Sequence, residues 1–286
     1  MKLFGILANP AGHSLSPLLH NELLEYYEID GKYERFEIAP EDIGNFAEQY
    51  LHTGKLSGLS VSLPFKESLM HYTSSNDERA LELGAINTVV FDNDNNCFGF
   101  NTDYLGLTDS LLVEFPSLEN LPVIILGAGG AARAAIYGLL KQKANVIGVS
   151  NRDPIRANAL IKDMNNLFNR EMAYFSYNDL EQIGHLPKGT LIIQATSIWN
   201  LDKNASFEAI CPANILQQSS VVMDLIYNPL QTPLLLAAES LGKKIITGEK
   251  MFLHQAARQF LLWTKINPDI DFMSQIFSSI AKKSLS

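Results

Sequence analysis

Cysteine is nearly absent: Cys97 and Cys211 are the only two in 286 residues. Two thiols cannot build the disulfide framework of a small secreted domain, and neither stands in a metal-ligand or redox spacing. No apolar run approaches the roughly 20 residues needed to span a bilayer. The run from Leu3 to Ala8 is broken by Asn9-Pro10, too short for the core of a signal peptide. Positive charge is also in deficit, with 22 Lys+Arg against 31 Asp+Glu and a net charge of −9. Without a basic stripe to neutralise phosphates, nucleic acid is not an expected partner. His13, His20, His52, His71, His185 and His254 show no ligand spacing, so no metal is expected. The expectation is a cytoplasmic protein with a small-molecule substrate and no membrane partner, as a monomer or homodimer.

What is present is a globular composition, 47% hydrophobic, in a chain long enough for two domains. Strand-like runs at 3–8, 33–38, 59–63 and 88–91 alternate with helical stretches at 17–27 and 43–50. Further strands are read at 145–150, 191–195, 221–224 and 244–247, and amphipathic helices at 251–263 and 272–282. This alternation predicts an α/β protein with parallel sheets. The expected organisation is two α/β domains. Residues 1–103 plus 250–286 form an open-sheet substrate domain, and 104–249 a Rossmann dinucleotide-binding domain. The C-terminal helices are expected to pack back on the first domain, leaving a cleft between the sheets.

The cofactor signal lies in the middle of the chain. The apolar run Val123–Leu126 leads into Gly127-Ala128-Gly129-Gly130-Ala131-Ala132-Arg133. Glycines at the first and third positions allow a tight turn and close approach to a pyrophosphate, and Ala132 allows close helix–strand packing. The following helix would direct its N–H groups and dipole at the phosphates. The next strand ends at Asn151-Arg152-Asp153, with Arg156 one turn into a helix. Two guanidiniums suit the 2′-phosphate of NADP, whereas Asp153 would repel it or serve the ribose of NAD. The arginines favour NADP.

In the first domain, Ser16 precedes a helix with Pro17 in its first turn and reads as an N-cap. Ser14 is placed to join it in holding a carboxylate. Alternation puts Ser60 and Ser62 on one strand face, with Lys66 just past the end. Asn101-Thr102-Asp103 marks another junction, and Lys66 and Asp103 have the chemistry of an ion pair.

Gly12-His13-Ser14-Leu15-Ser16-Pro17, Leu63-Pro64-Phe65-Lys66, Gly84-Ala85-Ile86-Asn87-Thr88 and Gly99-Phe100-Asn101-Thr102-Asp103 resemble, in order, motifs of the shikimate dehydrogenase family. The resemblance continues through the glycine turn, Asn151-Arg152, Ala195-Thr196-Ser197, Tyr227-Asn228-Pro229 and Met251 with Gln255. It implies NADP-dependent, reversible reduction of 3-dehydroshikimate to shikimate in aromatic amino acid biosynthesis. It implies that Lys66 transfers the proton, with Asp103 as its partner. Ser14, Ser16 and Tyr227 would take the substrate carboxylate, and Ser62, Asn87, Asp103 and Gln255 the ring hydroxyls. Gly127, Ala128, Gly129, Gly130, Ala131, Asn151, Arg152, Arg156, Leu225 and Gly248 would hold NADP.

Several positions depart from the commoner family pattern. Ser60 replaces asparagine, Tyr104 a glycine, Gln194 an asparagine, Trp199-Asn200 a Gly-Met pair and Lys250 a glycine. They leave open a quinate/shikimate dehydrogenase using NAD or NADP. A non-catalytic dinucleotide- or metabolite-sensing module is the alternative of another class, against which Lys66 and Asp103 both speak.

Overall fold

The structure is a computed structural model and describes residues 1–202 and 204–284. The chain divides into two compact units, Met1–Thr102 with Leu253–Ser286, and Asp103–Phe252. Against the expected boundaries, Asp103 and residues 250–252 belong to the second unit. Residues 285 and 286 of the expected first domain lie outside the described residues. Among the described residues, no helix is long and apolar enough to cross a membrane.

The first unit is built on β1 (Lys2–Leu7), β2 (Gly31–Phe36), β3 (Gly58–Val61), β4 (Ser75–Asn76), β5 (Thr88–Phe91) and β6 (Cys97–Phe100), in the order β2-β1-β3-β5-β6-β4. β1 pairs in parallel with β2 and β3, but β5 is antiparallel to both β3 and β6. The expectation of a parallel sheet is corrected here. A parallel pair needs a crossover of about a dozen residues, and the β5–β6 connection is a short turn. Asp92 closes that turn by accepting the N–H groups of Asp94 at 2.9 Å and Asn96 at 2.8 Å. The core under β3 and β5 gathers Leu59, Phe65, Leu69, Ile86 and Val89, all buried. From Leu253 onward the C-terminal helices belong to this unit: Trp263 donates its indole N–H to the Val89 carbonyl at 3.0 Å. Phe272, on helix Ile270–Ser284, lies against Tyr26 of helix Ser16–Tyr26, ring centroids 4.1 Å apart.

The second unit holds β7 (Pro122–Leu126), β8 (Asn145–Ser150), β9 (Ala173–Phe175), β10 (Leu191–Gln194), β11 (Val221–Asp224) and β12 (Lys244–Ile246). All run parallel, in the order β12-β11-β10-β7-β8-β9. The continuous apolar runs of β7, β10 and β11 follow from this, since a parallel sheet is covered on both faces. The chain winds outward from β7 to one edge, then returns to β10 and winds to the other. The strand order therefore reverses between β7 and β10, the place where doubly wound sheets bind dinucleotides at the carboxyl ends of their strands.

Candidate active site

The glycine turn leaves β7 at this switch point. Gly127 has φ +118°, and a Cβ there would lie 2.9 Å from the Ala195 carbonyl carbon and 3.0 Å from its oxygen. Only glycine meets both conditions, because the segment after β10 crosses directly over the turn. Gly129 starts helix Gly130–Lys141 in extended conformation, without a side-chain cap. A Cβ on Gly130 would meet nothing within 4 Å. A helix N-terminus uncapped by side chains, with room for close approach, fits a dinucleotide pyrophosphate.

At the tip of β8, Asp153 and Arg156 have different hydrogen-bond partners. The Asp153 carboxylate is the N-cap of helix Pro154–Phe168 and accepts the Arg156 N–H at 3.1 Å. Arg156 donates from Nε to the Ala128 carbonyl at 3.0 Å, which holds its guanidinium over the glycine turn. Arg152 stands exposed at the strand tip. Asn151 donates from Nδ2 to the Asp153 carbonyl at 3.2 Å and shapes the loop between them.

In the first unit the Ser14–Ser16 reading is refined. Helix Ser16–Tyr26 begins at Ser16, with Leu15 at the cap position and no side-chain cap. Ser16 is therefore not the N-cap. The Ser14 hydroxyl takes the Ser16 N–H at 3.3 Å, and Arg35 donates to the Ser14 carbonyl at 3.0 Å. Lys66 is positioned from both sides. Phe65 before it is buried in the core cluster, and the Lys66 carbonyl accepts the Ile86 N–H at 2.8 Å. Its half-buried side chain and that of Ser62 both follow the end of β3.

Asn87 is held by several hydrogen bonds. Its Oδ1 accepts the Thr102 N–H at 2.7 Å and the Thr88 hydroxyl at 2.8 Å. Its Nδ2 donates to Thr102 Oγ1 at 2.9 Å, with Gln255 Oε1 at 3.4 Å. The amide orientation is fixed by these partners. Behind it runs a buried chain that sequence reasoning missed. The Tyr33 hydroxyl donates to Ser60 Oγ at 2.7 Å, and Ser60 Oγ donates to Gln259 Oε1 at 2.8 Å. Gln259 Nε2 donates to the Asn87 carbonyl at 2.9 Å and to Thr88 Oγ1 at 3.1 Å. Ser60 is thus part of the support for Asn87, and burial keeps the Tyr33 phenol protonated well above its ordinary range. The sequence places Tyr33 only in a strand-like run at 33–38, and nothing in the linear sequence pairs it with residues 60 and 259.

His20 lies beside this chain. Its ring stacks on Tyr33 at 4.7 Å, with Phe260 and Trp263 around it, and neither ring nitrogen has a hydrogen-bond partner. Burial pushes its pKa down to about 3, opposed only by the nearby Gln259 side chain, which falls short of bonding geometry.

In the second unit, Asp103 is buried at the start of helix Asp103–Leu112. Tyr104 packs edge-on against Tyr137, centroids 5.1 Å apart, so its departure from glycine serves helix packing. Trp199 is a core residue whose indole N–H donates to the Ala205 carbonyl at 2.8 Å; the side chain of Asn200 lies outside the described residues. Tyr227 stacks on Phe252 at 4.7 Å, and burial raises its phenol pKa. A Cβ on Gly248 would lie 2.5 Å from the Ile226 carbonyl oxygen, so only glycine lets that backbone lie against the loop carrying Leu225.

A parallel doubly wound sheet with a glycine turn at its switch point, in a chain of two compact units, defines a two-domain dinucleotide-binding protein. Family models match along the chain: the shikimate dehydrogenase substrate binding domain over residues 6–89, shikimate / quinate 5-dehydrogenase over 111–226, and the shikimate 5′-dehydrogenase C-terminal domain over 248–275. The shikimate dehydrogenase (NADP(+)) of Pyrococcus abyssi is 35% identical over 277 residues, covering 96% of this chain and 97% of the relative. The chain belongs to the shikimate dehydrogenase family. Among solved structures, the Thermus thermophilus shikimate 5-dehydrogenase in complex with NADP(H) and shikimate is similar with TM-score 0.82 and 30% identity, covering 96% of this chain and 98% of that one. The Corynebacterium glutamicum quinate dehydrogenase in complex with NAD gives TM-score 0.86 and 26% identity, with 97% and 99% covered.

Proposed function

We propose that this chain catalyses the reversible, NADP-dependent reduction of 3-dehydroshikimate to shikimate. The observation that carries the reading is its near full-length similarity to relatives of that name, combined with Lys66, Asn87, Asp103 and Gln255 in the order of the family motifs. NADPH, when bound, supplies the hydride. Lys66 gives a proton to the ketone oxygen and takes it back in the reverse direction, while its charge stabilises the developing alkoxide. The family resemblance assigns Asp103 to the proton-transfer step together with Lys66. Asn87 and Gln255 meet ring hydroxyls, and Ser14, Ser16 and Tyr227 the carboxylate. Ser62 joins Asn87 on the hydroxyl side.

NADP is favoured over NAD by what Asp153 does. Its Oδ1 accepts the N–H of Arg156 and caps the following helix, which gives this acid a structural role at the strand tip. Arg152 and Arg156 are then the charged groups left for a 2′-phosphate, with Asn151 shaping their loop. Arg152→Ala is expected to raise KM for NADP by about 10–100-fold, the range of one charge-assisted hydrogen bond, and to leave KM for NAD within twofold. Equal effects on both cofactors would refute the assignment.

Similarity to the NAD-bound quinate dehydrogenase favours a second reading, a broader enzyme accepting quinate or NAD. Initial rates with NADP and NAD, each against shikimate and quinate, decide between them. Turnover confined to shikimate with NADP supports the first reading; comparable turnover with quinate or NAD replaces it with the second. No turnover with shikimate and NADP refutes the first.

A further inference from the structure

The buried acid Asp224 has no part in the proton chemistry above, yet it organises the carboxyl ends of two central strands. It closes β11 and is fully buried. Its Oδ1 accepts the Ile226 N–H at 2.9 Å and lies 3.4 Å from Gln194 Nε2, while its Oδ2 accepts the Thr232 hydroxyl at 2.7 Å. Thr232 in turn caps helix Pro233–Ser240. One carboxylate thereby ties both ends of the segment 225–232 to a single point.

Gln194 extends the arrangement to the next strand. From the end of β10 its Oε1 accepts the Thr196 N–H and its Nε2 donates to the Thr196 carbonyl at 3.0 Å. The Leu225 N–H donates to the Gln194 carbonyl at 2.9 Å. Asparagine, one methylene shorter, has less reach to hold the Thr196 backbone and approach Asp224 together. Gly248 backs the same segment from the other side, where a Cβ would lie 2.6 Å from the Leu225 carbonyl carbon. Thr196 also lies against the glycine turn, its Cγ2 standing 3.0 Å from where a Gly127 Cβ would be.

We propose that Asp224, with Gln194, is a positioning residue for the nicotinamide end of the bound dinucleotide, acting through the backbone of residues 225–227 and of Thr196. The inference rests on the NADP-dependent reading and goes beyond it. Stability alone does not account for an acid here. Desolvation raises the Asp224 carboxyl to about 6, so burying an acid at this point has a cost. What the acid supplies is one set of directional bonds that fixes loop geometry. Its bonds converge where a doubly wound sheet places its ligand. Hydride transfer is steep in geometry, a misplacement of about 1 Å lowering rates by about 100-fold.

The test compares 2′,5′-ADP, which reaches only the phosphate and adenosine side, with intact NADP. Asp224→Ala is expected to leave the Kd of 2′,5′-ADP within twofold. It should weaken NADP at least fivefold and, where shikimate turns over, lower kcat at least tenfold. Asp224→Asn keeps the acceptor for Ile226 and can donate to Thr232, so it should recover most of both losses. If Asp224→Ala does not fold, Thr232→Val removes one bond and should show the same selective pattern at smaller size. Parallel weakening of 2′,5′-ADP and NADP, or an unchanged NADP Kd, overturns the proposal. The binding ratio needs no turnover, so an inactive wild-type protein would refute the shikimate reading while the positioning role is still decided.

Discussion

Replacing Lys66 by alanine is expected to lower kcat for shikimate oxidation by about a thousandfold while changing KM for shikimate by less than about tenfold. The magnitude follows from two losses at one residue. A positioned general acid–base group contributes about 10²–10⁴-fold, and its positive charge also meets the alkoxide that develops in the transition state. Structural collapse is not expected to contribute. The neighbouring Phe65 provides the core anchor, and the contact between residues 66 and 86 is made by the Lys66 backbone carbonyl. Thermal unfolding should stay near that of the wild type. A variant with kcat unchanged and KM raised would mean that Lys66 binds substrate rather than transferring a proton.

The second large effect is acid lability centred on His20. An ordinary histidine takes up its proton near pH 6.5, whereas burial holds His20 neutral down to about 3. The unfolded chain therefore binds a proton below about pH 6.5 that the folded chain refuses, and stability falls as pH falls through this window. Two pH units below 6.5, at about pH 4.5, the loss from this one group is about 3 kcal/mol. It is fully absent above about pH 7. His20→Phe keeps an apolar ring against Tyr33 and removes the titration. The stability difference between variant and wild type in urea unfolding should shift in the variant's favour by about 3 kcal/mol between about pH 7 and 4.5. A difference that stays constant with pH would show that His20 is not held neutral. If the larger ring unfolds the variant, NMR titration of His20 in the wild-type protein gives the same answer: the imidazole must remain neutral at about pH 5.

Much of the second unit was legible because parallel strands buried on both faces are written as continuous apolar runs. β8 and β11 begin and end where the sequence places them, at Asn145–Ser150 and Val221–Asp224. The glycine turn was legible for a similar local reason, since the backbone conformation of Gly127 is encoded in the residue itself. In the first unit the direction of β5 was not legible. Four residues of Thr-Val-Val-Phe read the same up or down, and the short turn after Phe91 sets the pairing. Ser60 was misleading for another reason: alternation gives a face, but not what lies on it.

The sequence by itself determined the α/β class, the dinucleotide turn, the motif residues from Ser14 to Gln255 and the excess of acidic residues. Each is carried by a residue type or a spacing along the chain. Tertiary structure decided that Asp153 caps a helix, that Tyr33, Ser60 and Gln259 support Asn87, and that Asp224 gathers Gln194, Ile226 and Thr232. Those facts depend on hydrogen bonds between groups as far apart as residues 60 and 259. Such directional contacts exist only once the strands and helices have packed, and local pattern does not encode them.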